Sequence, residues 1–146
     1  MSKKILIATH TTLAEGFKKA TVFFTGMGED MVTICAYEDT QEPPRPEIDR
    51  FFESVNQDDT VVVFTDLMGG SVNQIMMEKL LTRKFHLITD PNLSVIMAVA
   101  TLGEEELNAE NIRESIELSS SQMKYMNDVP LEQGSQAESD TADDFF

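Results

Sequence analysis

Thr60-Val61-Val62-Val63-Phe64-Thr65-Asp66-Leu67-Met68-Gly69-Gly70-Ser71 is the stretch on which the fold turns. Its first half is β-branched and apolar without alternation, the pattern of a strand buried on both faces. At Asp66 the character changes. Two glycines lead to Ser71, and apolar residues then return at helical spacing as Ile75, Met76, Leu80 and Leu81, which predicts a helix over 72–82. Strand, short loop and helix in that order are the start of a βαβ unit.

The same grammar extends in both directions. Toward the N-terminus, Lys3-Lys4-Ile5-Leu6-Ile7-Ala8-Thr9 is a second continuous apolar run. A helix over 13–24 follows, with Leu13, Phe17, Ala20, Val22 and Phe24 read as its inner face and Gly26 as its stop. Residues 31–37 form another strand. Pro43-Pro44-Arg45-Pro46 is a rigid turn, and Pro46 suits the first turn of a helix carrying Ile48, Phe51, Phe52 and Val55. Toward the C-terminus come a strand over 85–89, the turn Asp90-Pro91-Asn92, helices over 93–102 and 108–118, and a fifth short strand over 122–126.

Strands alternating with helices predict an α/β fold. The expected architecture is an open, doubly wound, mostly parallel sheet of about four strands flanked by helices, in one domain over 1–128. Beyond it, residues 129–146 lack apolar periodicity. Glu132, Glu138, Asp140, Asp143 and Asp144 have no basic residue among them, so an acidic, disordered tail is expected. Phe145-Phe146 reads as a frayed end rather than a docking tag.

Composition narrows the function classes. A net charge of −15 over 146 residues argues against a nucleic acid partner, whose phosphates need clustered Lys and Arg. No apolar run reaches the roughly 18–20 residues that span a bilayer. The N-terminal MSKKILIATH lacks a small-residue cleavage site, so a cytoplasmic location is expected. The single cysteine, Cys35, permits no internal disulfide and reads as a buried structural thiol.

Open α/β sheets bind ligands beyond the carboxyl ends of their strands, where the strand order reverses. Three places qualify: His10, residues 66–71 and residues 90–92. His10 stands just past the first strand, and Asp66 just past the strand that most plausibly neighbours it. A carboxylate there can accept the Nδ1 proton, leaving the Nε2 lone pair facing outward as a nucleophile. It also stabilises the positive charge that develops when Nε2 is phosphorylated. Gly69 and Gly70 let the backbone approach a ligand, and a helix N-terminus beginning near Ser71 suits phosphoryl oxygens. Ser71 is read equally as a phosphoryl donor group and as a helix cap. Among Thr9, Thr11 and Thr12, Thr9 is assigned to phosphoryl binding, and Thr11 or Thr12 to capping. Leu67 and Met68 form an apolar rim for a partner. His86 has no acidic neighbour in sequence and reads as structural. No His/Cys spacing suits zinc, and no nucleotide-binding glycine loop is present, so no metal or cofactor is indicated.

Ile5-Leu6-Ile7-Ala8-Thr9-His10, Leu13-Ala14-Glu15-Gly16 and Val63-Phe64-Thr65-Asp66-Leu67-Met68-Gly69-Gly70-Ser71-Val72-Asn73 resemble the enzyme IIA domain of mannose-family sugar phosphotransferase systems. The resemblance spans roughly residues 3–126. It implies that His10 accepts a phosphoryl group from phospho-HPr and passes it to an enzyme IIB component during sugar uptake. It implies that Asp66 orients His10, and that Ser71 with its helix N-terminus holds the phosphoryl group. It further implies a homodimer exchanging an antiparallel fifth strand near 122–126. The acidic tail is outside this pattern.

Three other readings share some of these residues. The phosphocarrier subunit of a phosphotransferase-dependent dihydroxyacetone kinase shares the histidine and differs in the acceptor. An α/β hydrolase would need its serine on the sharp turn directly after the strand, and Ser71 comes too late. A signalling receiver would need an acidic pair after the first strand, where this chain has Thr9-His10.

Overall fold

The computed structural model describes residues 2–131 of the chain. Most of the segment expected to be a disordered tail, from residue 132 on, lies outside the described residues. The elements are β1 (Lys3–His10), α1 (Leu13–Thr25), β2 (Val32–Ala36), α2 (Arg45–Glu53), β3 (Thr60–Thr65), α3 (Ser71–Leu80), β4 (His86–Thr89), α4 (Leu93–Thr101) and α5 (Ala109–Ser120). Short 3-10 turns occur at Glu104–Glu106 and Met126–Asp128.

The four strands form one sheet in the order β2-β1-β3-β4, every neighbouring pair parallel. Central strands β1 and β3 are closed to water on both faces, and Val62, Val63 and Phe64 expose 0% of their surface. Alternation along these strands divides the core in two. Ile5, Ile7, Val62 and Phe64 pack on one face with Ala14 of α1, Val95, Ile96 and Val99 of α4, and Ile112 of α5. Leu6, Ala8, Val61 and Val63 pack on the other with Ile48, Phe51 and Phe52 of α2 and Val72, Ile75 and Met76 of α3. Each such aliphatic or aromatic side chain contributes about 1.5–3 kcal/mol by leaving water. Cys35 is half-buried against the first of these clusters.

One expectation is corrected. The inner face of α1 is Ala14, Phe17 and Thr21, and Leu13 is 45% exposed. Ala14, Phe17 and Thr21 follow one another at intervals of three and four, the spacing of a single helix face. Residues 122–126 form no strand in the single chain. In this segment Met123 and Tyr125 are exposed. Among the described residues no helix is long and apolar enough to cross a membrane.

The connections place the site. The chain moves from β1 outward to β2, then returns to the other side of β1 for β3 and continues to β4. Strand order therefore reverses between β1 and β3, whose carboxyl ends carry His10 and Asp66.

Candidate functional site

Ala8 of β1 is paired with Thr65 of β3, so the residue after Thr65 comes level with the end of β1. Asp66 Oδ2 there accepts two hydrogen bonds, from the His10 backbone N–H at 2.7 Å and from the ring Nδ1 at 2.8 Å. A carboxylate has no proton to offer, so Nδ1 carries the hydrogen and Nε2 keeps its lone pair. The His10 side chain is 43% exposed and that of Asp66 only 11%. The other carboxylate oxygen, Oδ1, is buried without a hydrogen-bond partner among the described residues. The carboxylate thus stands against the Nδ1 edge of the imidazole and leaves the Nε2 edge open.

The loop after Asp66 is fastened at several points. Gly70 N–H donates to the Leu67 carbonyl at 3.0 Å, closing a turn that takes Gly69 to φ 82, a backbone region suited to glycine. A Cβ on Gly70 would stand 3.1 Å from the Leu67 carbonyl, tighter than an ordinary contact, and 3.6 Å from His10 Cε1, in ordinary contact with the ring. Asn73, buried in the first turn of α3, accepts the Gly69 N–H and donates to the hydroxyls of Thr65 and Thr89. Gln74 donates to the Gly69 carbonyl. Leu67 and Met68, at the loop tip, are 68% and 83% exposed.

Ser71 is the first residue of α3 and not its cap; Gly70 holds that position. The Ser71 hydroxyl lies 3.4 Å from His10 Nε2 and 2.8 Å from the Tyr37 hydroxyl. Tyr37 also stacks on His10, with ring centroids 5.1 Å apart and planes 25° from parallel. It is the site residue that sequence reasoning missed. The signal was available: it follows directly on β2, beside the end of β1, and the strand-end rule that selects His10 and Asp66 selects it too.

Thr9 is fully buried, and its Oγ1 accepts the Ala14 N–H at 2.8 Å. It therefore serves as the hydroxyl that satisfies the start of α1, in place of a ligand contact. Thr12 occupies the cap position with no side-chain bond. Replacing Thr9 with Val keeps its volume and orphans a buried N–H. We expect a loss of about 1–2 kcal/mol in urea unfolding.

The third strand end is structural. Asp90 donates its N–H to the carbonyls of Thr65 and Asp66, and Asn92 accepts the Val95 N–H to cap α4. His86 is partly buried, and burial together with Lys84 and Arg113 pushes its pKa down, so the fold favours its neutral form. Among the described residues no group of three or more His, Cys, Asp or Glu is placed to hold a metal ion. The site is an open shelf. A groove of about 620 Å³ runs beside it between β2 and α2, with Tyr37 on its wall and His10 outside it.

These groups supply a nucleophilic nitrogen with a fixed tautomer, a buried counter-charge, and donors at a helix start. That set can attack an electrophilic phosphorus and then hold the product, without a cavity to enclose a small substrate.

Comparison with known proteins gives a consistent picture. Residues 4–117 match the EIIA-man family model, described as the PTS (phosphotransferase system) fructose IIA component. A comparison with curated proteins finds no match. Among solved structures, a phosphoenolpyruvate-dependent sugar phosphotransferase permease of Klebsiella pneumoniae superposes with a TM-score of 0.80 at 24% identity, covering 88% of this chain and 93% of that one. The mannose/sorbose-specific IIA subunit of Enterococcus faecalis gives 0.74 at 19% identity, with 89% and 98% covered. Component EIIA of Streptococcus agalactiae gives 0.67 at 19%, with 86% and 98% covered. At these identities the likeness is one of fold.

Proposed function

The chain belongs to the EIIA-man family of phosphotransferase-system components, and from that premise we propose that it relays a phosphoryl group on His10 between two other proteins of such a system. The observation that carries the reading is the His10–Asp66 pair, with Nδ1 bonded to Oδ2 at 2.8 Å and Nε2 turned to the open shelf.

In the first step the Nε2 lone pair attacks the phosphorus of phospho-HPr. The new N–P bond forms as the donor's N–P bond breaks, and the electron pair returns to the donor imidazole. No proton leaves His10: Nδ1–H stays on Asp66, and the ring, now positively charged, is stabilised by that carboxylate. Ser71 and the start of α3, freed for close approach by Gly69 and Gly70, hold the phosphoryl oxygens. Thr9, whose hydroxyl is used inside the fold, has no part in this. The second step is the reverse attack, by a nucleophile of an enzyme IIB component. Leu67 and Met68 form the exposed rim against which both partners dock. The reading includes a homodimer in which 122–126, unpaired in the single chain, is the exchanged strand.

Ser71, His10 and Asp66 also stand in the order of a hydrolase triad. Membership of the family favours the phosphoryl relay.

The test is transfer in two stages with purified components. Incubated with phospho-HPr, the protein should become labelled. The label should then pass to an enzyme IIB component and not to the nucleotide-binding subunit of a dihydroxyacetone kinase. Transfer only to the kinase subunit would move the protein to that system. A burst of product from an activated ester, with no labelling, would make it a hydrolase.

A further inference from the structure

Three features of Tyr37 have no part in the relay as described. Its backbone sits at φ 64, where a bulky residue is an outlier, and such strain persists only where the surroundings enforce it. Its ring lies against the imidazole of His10. Its hydroxyl is 2.8 Å from Ser71 Oγ, which in turn faces Nε2 at 3.4 Å.

Counting protons gives this chain a direction. Asp66 takes the Nδ1 hydrogen, so Nε2 of the neutral ring can only accept. Ser71 has one proton, and facing Nε2 it must donate it. Its oxygen is then the acceptor for the Tyr37 O–H. The order is Tyr37 to Ser71 to His10, and each hydroxyl has one task. A serine without this anchor can rotate its hydroxyl toward solvent or toward the carbonyls of the loop.

We propose that Tyr37 is a positioning residue for phosphoryl transfer. Its hydroxyl aims the Ser71 proton at Nε2 before transfer and at a phosphoryl oxygen afterwards, and its ring fixes the plane of the imidazole. The direction of the hydroxyl chain is the same in both states, so the N–P bonds are the only bonds made or broken. The inference rests on His10 being the phosphoryl acceptor.

Tyr37→Phe keeps the ring and the backbone and removes the hydroxyl. Labelling by phospho-HPr should slow about fivefold, the effect of losing one neutral hydrogen bond. In a Ser71→Ala background the same change should slow it no further, because the hydroxyl has nothing left to orient. An unchanged rate in Tyr37→Phe, or an undiminished effect in the Ser71→Ala background, would overturn the role. An independent readout needs no donor: the ¹⁵N signal of His10 Nε2 in the unphosphorylated protein should shift in Tyr37→Phe and move equally in Ser71→Ala. If wild-type protein takes no label, the reading of His10 fails, while this signal still decides whether the hydroxyl chain exists. An unfolding curve for each variant separates either result from a loss of fold.

Discussion

His10→Gln should abolish labelling by phospho-HPr while leaving the fold intact. Glutamine has roughly the reach of histidine, and its amide can still donate toward Asp66. It has no unprotonated ring nitrogen to attack phosphorus, so the loss should be complete rather than partial. The fold should tolerate the change because the side chain is 43% exposed and contributes to neither core cluster. Radiolabel uptake, with circular dichroism as the control, checks it. Acid-labile, base-stable phosphate still appearing in the variant would place the acceptor elsewhere.

Asp66→Asn carries the second largest effect, and its direction differs by step. The amide oxygen can still accept the His10 backbone N–H, so folding should survive. What disappears is the negative charge at 2.8 Å from Nδ1. The oxygen that accepts the backbone N–H is the one that faces Nδ1, so the Nδ1–H tautomer is kept and the loss is one of charge. The positive phosphorylated ring loses its counter-charge. Labelling should slow about a hundredfold or more. The equilibrium should in addition lie further toward phospho-HPr, which separates loss of charge stabilisation from a slower encounter. A rate within a few-fold of wild type would show that Asp66 serves the backbone only.

How much of this could be read in the sequence differs residue by residue. The strands around Val62 and Ile7 were legible because both are buried on two faces, where composition alone suffices. His10 and Asp66 were legible once strand ends were taken as the place to look. Thr9 was misassigned by proximity in sequence. Successive residues of a strand point to opposite faces. Ile5 and Ile7 face the α1 side, so Thr9 does too, and His10 faces the side of α3. Counting by twos from Ile5 would have separated them.

Tyr37 was missed for a different reason. The strand-end rule reaches it, but its left-handed backbone and its contact with Ser71 are not written in a local pattern. Ser71 was left open between cap and donor because a one-residue shift in the helix start decides it. Gly70 takes the cap position, which frees the hydroxyl for Tyr37 and His10.

The central claim is that Nε2 of His10, with Nδ1–H held on Asp66, is the phosphoryl acceptor. Long-range ¹H–¹⁵N correlation spectra of the imidazole, recorded before and after incubation with phospho-HPr, test it directly. The expected result is a protonated Nδ1 and unprotonated Nε2 beforehand, then coupling to phosphorus at Nε2 with Nδ1 still protonated. Phosphorus on Nδ1, or on any residue other than His10, would contradict it.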